Sequence, residues 1–261
     1  MDLSVYPVME YIVAGTRNNE ERGDIMPVYE YKDYLRVMKP LPDYVDRDSY
    51  GIPYIEANEI DVSDLNNGKW LINMKNVSTN DKNSFRKIVH SLCYDNVLQR
   101  HQNNMPNYLK RTAGYYALSS FDFSMDPRMD FPVILNAVYN NRWTGAYMQV
   151  MGRRVIPTVG WLLPDTYDIC FAGLRDGSTF IISTLGVNNF LSAPIFLDGY
   201  RELRSRFPLA TIICVGDRIA GMDSDICYVR YEDSFGNWDK YQDYWQPSLY
   251  NWDGSISKGA V

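Results

Sequence analysis

Four apolar, β-rich runs recur between Tyr115 and Asp217, at residues 115–124, 155–161, 180–186 and 211–217, with helical periodicity between them. Each run ends in small polar or acidic residues. Continuous apolar runs alternating with helices predict a mostly parallel α/β sheet, whose ligand sites lie at the carboxyl ends of the strands. Between the first two runs, Asp130 and Pro132 mark a helix start, and Leu135, Tyr139, Trp143, Ala146, Tyr147 and Val150 form one apolar face up to a Gly152 stop. After the third run, Ser192 and Pro194 open a second crossover helix, with Phe196, Tyr200, Leu203 and Phe207 on its stripe and Pro208 ending it. Residues 164–173 predict a shorter helical piece.

Upstream, Trp70–Met74 reads as a strand, and Arg86–Asp95 as another that leads into the amphipathic residues Val97–Arg100. A further strand is expected at Ile226–Tyr231. Strands centred near residues 72, 91, 119, 157, 182 and 213 suit an incomplete or irregular TIM-barrel-like fold, with an open doubly wound sheet as the alternative. The pattern divides the chain into an irregular amino-terminal cover (1–69), an α/β core (70–225) and an aromatic, acidic carboxyl-terminal segment (226–261). In that last segment Trp238, Tyr244, Trp245 and Trp252 are candidate partner-binding residues, because Tyr and Trp concentrate at interfaces.

The 261 residues are 46% hydrophobic and 22% charged, an ordinary globular balance, and no run reaches the length of a membrane span. Asp2 stands where a secretory signal would carry positive charge, so a cytoplasmic location is expected. The net charge of −6 and the pI near 5.0 disfavour nucleic acid as a partner, since that binding relies on many cations. Cys93, Cys170, Cys214 and Cys227 form no metal-binding spacing and read as core thiols.

No phosphate-binding loop, dinucleotide fingerprint, zinc-protease helix or nucleophile elbow is present, so no cofactor is implied by motif. Of the two histidines, His90 and His101, neither is expected at the carboxyl end of a strand, which leaves carboxylates to carry any acid/base chemistry. Asp95 and Asp122 at strand ends are the candidate catalytic residues. Asp126, in the loop after Asp122, and Ser124 join them as candidate ligand contacts. Thr158, Ser183 and Thr184 offer hydroxyls, Trp161 a stacking face, and Asp217 a further rim carboxylate.

These residues lie within a series of motifs that resembles a family of phage and mobile-element proteins, the domain of unknown function 4417. The series is Tyr94-Asp95 before a helix, Phe121–Ser124, Asn141–Tyr147, Val155–Trp161, Cys170–Leu174, Ile182–Gly186 and Ile213–Gly216, and it covers roughly residues 86–220. Asn96 departs from the pattern where a second acid is expected. The resemblance implies a phage origin and action in the cytoplasm of a bacterial host, or in the virion, and brings no activity with it. It also draws attention to Arg142, whose guanidinium suits a rim carboxylate or an anion.

Two functions follow. One is a pocket for a small polar or nucleotide-like ligand at the strand ends. The other is an interaction protein without catalysis, a virion or assembly component or an inhibitor of a host defence factor, whose partner is a phage or host protein.

Overall fold

The apolar runs form seven short parallel strands: β1 (Trp70–Asn73), β2 (Lys87–His90), β3 (Ala117–Ser119), β4 (Val155–Ile156), β5 (Thr179–Ser183), β6 (Thr211–Val215) and β7 (Cys227–Val229). The computed structural model describes residues 40–58, 60, 70–187 and 192–234, and all of its regular structure falls in the compact unit Leu41–Val261. Among the described residues the sheets run β1-β2-β3-β4 and β5-β6-β7. A single parallel bridge, Thr158 to Ile181, joins them.

The order follows the chain without reversal, which is the order of a barrel and not of a doubly wound sheet. Among the described residues hydrogen bonding does not close the ring. A 3₁₀ turn at Tyr231–Ser234 packs beside β1 where a closing strand would stand, and is tied to the end of β2 by the Tyr231 hydroxyl, which donates to the Leu92 carbonyl. The fold is thus an open, irregular barrel-like α/β array.

Alternation along the strands sorts their side chains into two layers. Ile181, Ile213 and Val215 point inward with Leu71, Ile88, Ala117 and Ile156, forming one cluster to which β7 adds half-buried Cys227 and Val229. Phe180, Ile182, Ile212 and Cys214 point outward onto the helices. Those helices are α1 (Asp95–Gln102), α2 (Met105–Arg111), α3 (Phe131–Val150), α4 (Tyr167–Cys170) and α5 (Ser192–Arg206).

Several sequence expectations need correction. The run 86–95 is strand only over Lys87–His90; Asp95 opens α1, and His90 ends β2. The reason is local competition for backbone donors. The Leu92 N–H bonds the His90 ring and the Ser91 N–H the Ser119 hydroxyl, so the ladder stops. In β3 the N–H groups of Phe121, Asp122 and Ser124 go to Thr144, Ser91 and Asp95, which shortens the run 115–124 to three strand residues. In β4 the missing N–H of Pro157 breaks the ladder.

Helix α3 was expected to bury one face, yet it is enclosed on nearly every side from Ala137 to Met148. Residues 52–56 account for this: Ile52 packs on Val138, Ile55 fills the space over Gly145, and the Gln149 amide exchanges hydrogen bonds with the Glu56 backbone. Asp130 occupies the cap position of α3, but its side chain makes no capping bond; the backbone carbonyl receives Val133 and Ile134 instead. Gly152, at φ 75°, supplies the expected left-handed stop.

Candidate functional site

The segments that follow the strands line a cleft of about 900 Å³ at their carboxyl ends. That volume suits a small molecule. Segments after β1, β2, β3, β4, β5 and β7 all contribute, as does the start of α5. The described residues 40–58 cover α3 and do not enter it.

Of the residues singled out from sequence, Asp122, Ser124, Thr158, Trp161 and Ser183 line the cleft. The carboxylate of Asp122 receives no hydrogen bond from any described residue, while its backbone N–H is held by the Ser91 hydroxyl at 3.1 Å. Desolvation pushes its pKa up to about 7; the charge of Asp95 adds to the rise and that of Arg142 opposes it. Asp95 stands behind the wall. One of its oxygens accepts from both the backbone and the hydroxyl of Ser124, at 3.1 and 2.8 Å.

The polar groups of Thr158, Ser183 and Trp161 are committed inward. Thr158 donates its hydroxyl to the Ser120 carbonyl at 3.0 Å, and Ser183 to the Val215 carbonyl at 3.1 Å. The Trp161 indole N–H donates to the Phe196 carbonyl, its ring lies 5.0 Å from that of Phe196, and Gly199 gives it room. An aromatic wall is the result.

The other candidates lie elsewhere. Arg142 is buried beneath the cleft, separated from Asp122 by a pocket of only about 10 Å³. Its guanidinium is spent on the carbonyls of Ala172 at 2.8 Å, Cys170 at 2.7 Å and Thr158 at 3.3 Å, and on the Asn141 side chain at 2.6 Å. Burial lowers its pKa to about 10, still far above neutrality. Asp126 is held by Arg128 on the surface. Thr184 turns away to donate to the Asp217 carbonyl, and the Asp217 side chain is exposed outside the cleft. Trp238, Tyr244, Trp245 and Trp252 lie outside the described residues.

Sequence reasoning missed Lys75, Cys93, Tyr94 and Tyr231, all of which line the cleft. A signal existed for Lys75, which follows an expected strand, and for Tyr231, which ends one. The Lys75 ammonium sits 4.6 Å from the centre of the Tyr94 ring. Burial pushes the Cys93 thiol up to about 12, which makes it a poor nucleophile near neutral pH. His90 was excluded on the wrong ground: it does end a strand, but it is buried, its Nδ1 accepts from Leu92, and its Nε2 meets the Ser234 hydroxyl at 2.8 Å. Burial lowers its pKa to about 3, leaving a neutral structural ring. Among the described residues no group of His, Cys, Asp and Glu side chains is placed to hold a metal, and no helix is long and apolar enough to cross a membrane.

Comparison with known proteins matches residues 45–232 to the family described as Domain of unknown function (DUF4417). The chain is 38% identical over 120 residues to the Gene 1 protein of Mycobacterium phage L5, covering 46% of this chain and 52% of the phage protein. It is 37% identical over 99 residues to the Gene 1 protein of Mycobacterium phage D29, covering 38% and 37%. The aligned region thus spans about half or less of each relative. No solved structure matches significantly.

Proposed function

The chain belongs to the family Domain of unknown function (DUF4417), which has phage relatives, and from its cleft we propose that it binds a small, polar, planar ligand inside the bacterial host. The observation that carries this reading is the Asp122 carboxylate, without a hydrogen-bond partner among the described residues, in a cleft of about 900 Å³ that also carries the aromatic Trp161–Phe196 wall. Leaving a partly buried carboxylate unpaired costs stability, and a ligand donor at that point recovers it. An apolar and aromatic enclosure with a few placed polar groups is how small-molecule sites combine affinity with orientation. A carboxyl group near neutrality also has the property a general acid/base needs, so Asp122 is the residue on which any chemistry would turn.

The test is to purify the full-length protein from expressing cells, release bound small molecules by denaturation, and identify them by mass spectrometry. A planar polar compound retained by the wild type and lost from Asp122→Ala supports the reading. Capture of a protein with no small molecule, or retention unchanged in the variant, overturns it.

A further inference from the structure

Resting on that reading, we infer that the cleft selects an unphosphorylated heterocycle presenting two adjacent N–H donors, the pattern of a guanine edge, to Asp122. The directions of five side-chain protons in the wall lead there. Ser124 gives its hydroxyl proton to Asp95, Thr158 to Ser120, Ser183 to Val215 and Tyr231 to Leu92, while the Trp161 indole N–H goes to Phe196. What the hydroxyls of Ser124, Thr158 and Ser183 have left for the cleft is lone pairs. An ionised Asp122 adds two acceptor oxygens and no donor. At Asp122 a ligand that offers acceptors meets acceptors; one that offers donors is satisfied.

Charge adds the second half. Asp122 and Asp95 place negative potential on this side of the cleft, and among the described residues the one cationic side chain lining it is Lys75, held over Tyr94. Neither the Arg142 guanidinium nor Arg128 is available to a phosphate, the first being spent on carbonyls and the second on Asp126. The bound molecule is therefore a base or nucleoside in place of a nucleotide. Two parallel N–H bonds to a carboxylate fix the plane of the ring, and the Trp161 face offers it a stacking surface.

Ionisation of Asp122 gives the binding its pH dependence. The charges acting on it are Asp95 of α1 and Arg142 of α3, and the neighbouring Cys93 thiol stays neutral. Affinity for a donor–donor edge rises as pH passes through about 7, because the proton that must leave Asp122 is by then gone.

The experiment is calorimetric titration of the full-length protein at pH 8 with guanosine, inosine, guanosine 5′-monophosphate, adenosine, cytidine and uridine. Inosine lacks only the 2-amino donor, so it should bind about 10- to 100-fold more weakly, the worth of one charge-assisted hydrogen bond. The monophosphate should also bind more weakly than guanosine. Asp122→Asn, checked for folding by circular dichroism, should bring guanosine down to the inosine level. Wild-type guanosine affinity should rise between pH 6 and 8, a readout that needs no variant. Inosine or the monophosphate binding as tightly as guanosine, or another nucleoside binding best, overturns the inference and leaves a small-ligand cleft standing. Failure of the whole panel, with no small molecule retained from cells, overturns both.

Discussion

Ser124 donates its backbone N–H and its hydroxyl to the same oxygen of Asp95, at 3.1 and 2.8 Å, and this pair fastens the loop after β3 to the first turn of α1. It also fixes a negative charge close to Asp122, where it adds to the effect of desolvation. Asp95→Asn keeps an acceptor for Ser124 and removes the charge. The Asp122 pKa should then fall below about 7, read by carboxyl carbon NMR titration. An unchanged value would show that Asp95 holds the loop and nothing more.

Two desolvated groups, Asp122 in the cleft and the buried His90, set opposite slopes in the pH dependence of stability. Asp122 rises from 3.8 to about 7 on folding, so the native state holds its proton more tightly and stability is lost as pH rises from about 4 to about 7. His90 falls from 6.5 to about 3, so its contribution is complete above pH 6.5 and is lost as pH falls toward 3. Each slope is about 1.36 kcal/mol per pH unit at most. Between pH 4 and 6.5 they cancel. Urea unfolding of the wild type should therefore show a plateau there with respect to these two groups. Asp122→Asn should expose stability rising with pH, and His90→Gln stability falling with it. Variants whose profiles match that of the wild type would refute the assignment.

How far the chain announced this arrangement depends on where the decisive contacts come from. β5 and β6 were legible, because Phe180–Ile182 and Ile212–Val215 are buried on both faces and need no outside information. The position of Asp122 and Trp161 on one rim followed from strand direction alone. Three things were not legible. The hydroxyls that end β2 and β3 early act across 23 or more residues of sequence, as Thr144 does with Phe121 and Ser119 with Ser91. The enclosure of α3 depends on Ile52 and Ile55, which no periodicity within α3 can reveal. The fate of Arg142 was hidden because carbonyl partners leave no trace in side-chain spacing.

The Trp161 wall depends on a glycine. A Cβ on Gly199 would lie 2.0 Å from Trp161 Cδ1, and the indole cannot retreat freely because Phe196 and Phe171 flank it. Gly199→Ala gains about 1 kcal/mol of helix propensity in α5 and loses about 1–3 kcal/mol to overpacking. The second effect should win. A lower urea midpoint at constant slope, together with weaker nucleoside binding, is expected; a stabilised variant with unchanged binding would mean the indole has another place to go.

Arg142 combines two roles that substitution can separate. As a clamp, it joins the last turn of α4 to the end of β4 by donating to the Cys170, Ala172 and Thr158 carbonyls, with no carboxylate of the described residues hydrogen-bonded to it. As a charge, it is what keeps Asp122 from rising further. Arg142→Met removes both and should cost at least about 3 kcal/mol in urea unfolding, because buried carbonyls are left unpaired. Arg142→Lys keeps the charge but loses the planar fork, so most of that cost should remain. The Asp122 pKa should separate the variants the other way, rising in the methionine protein and staying near 7 in the lysine protein. If lysine restores stability as well, a point charge suffices and the fork geometry is incidental.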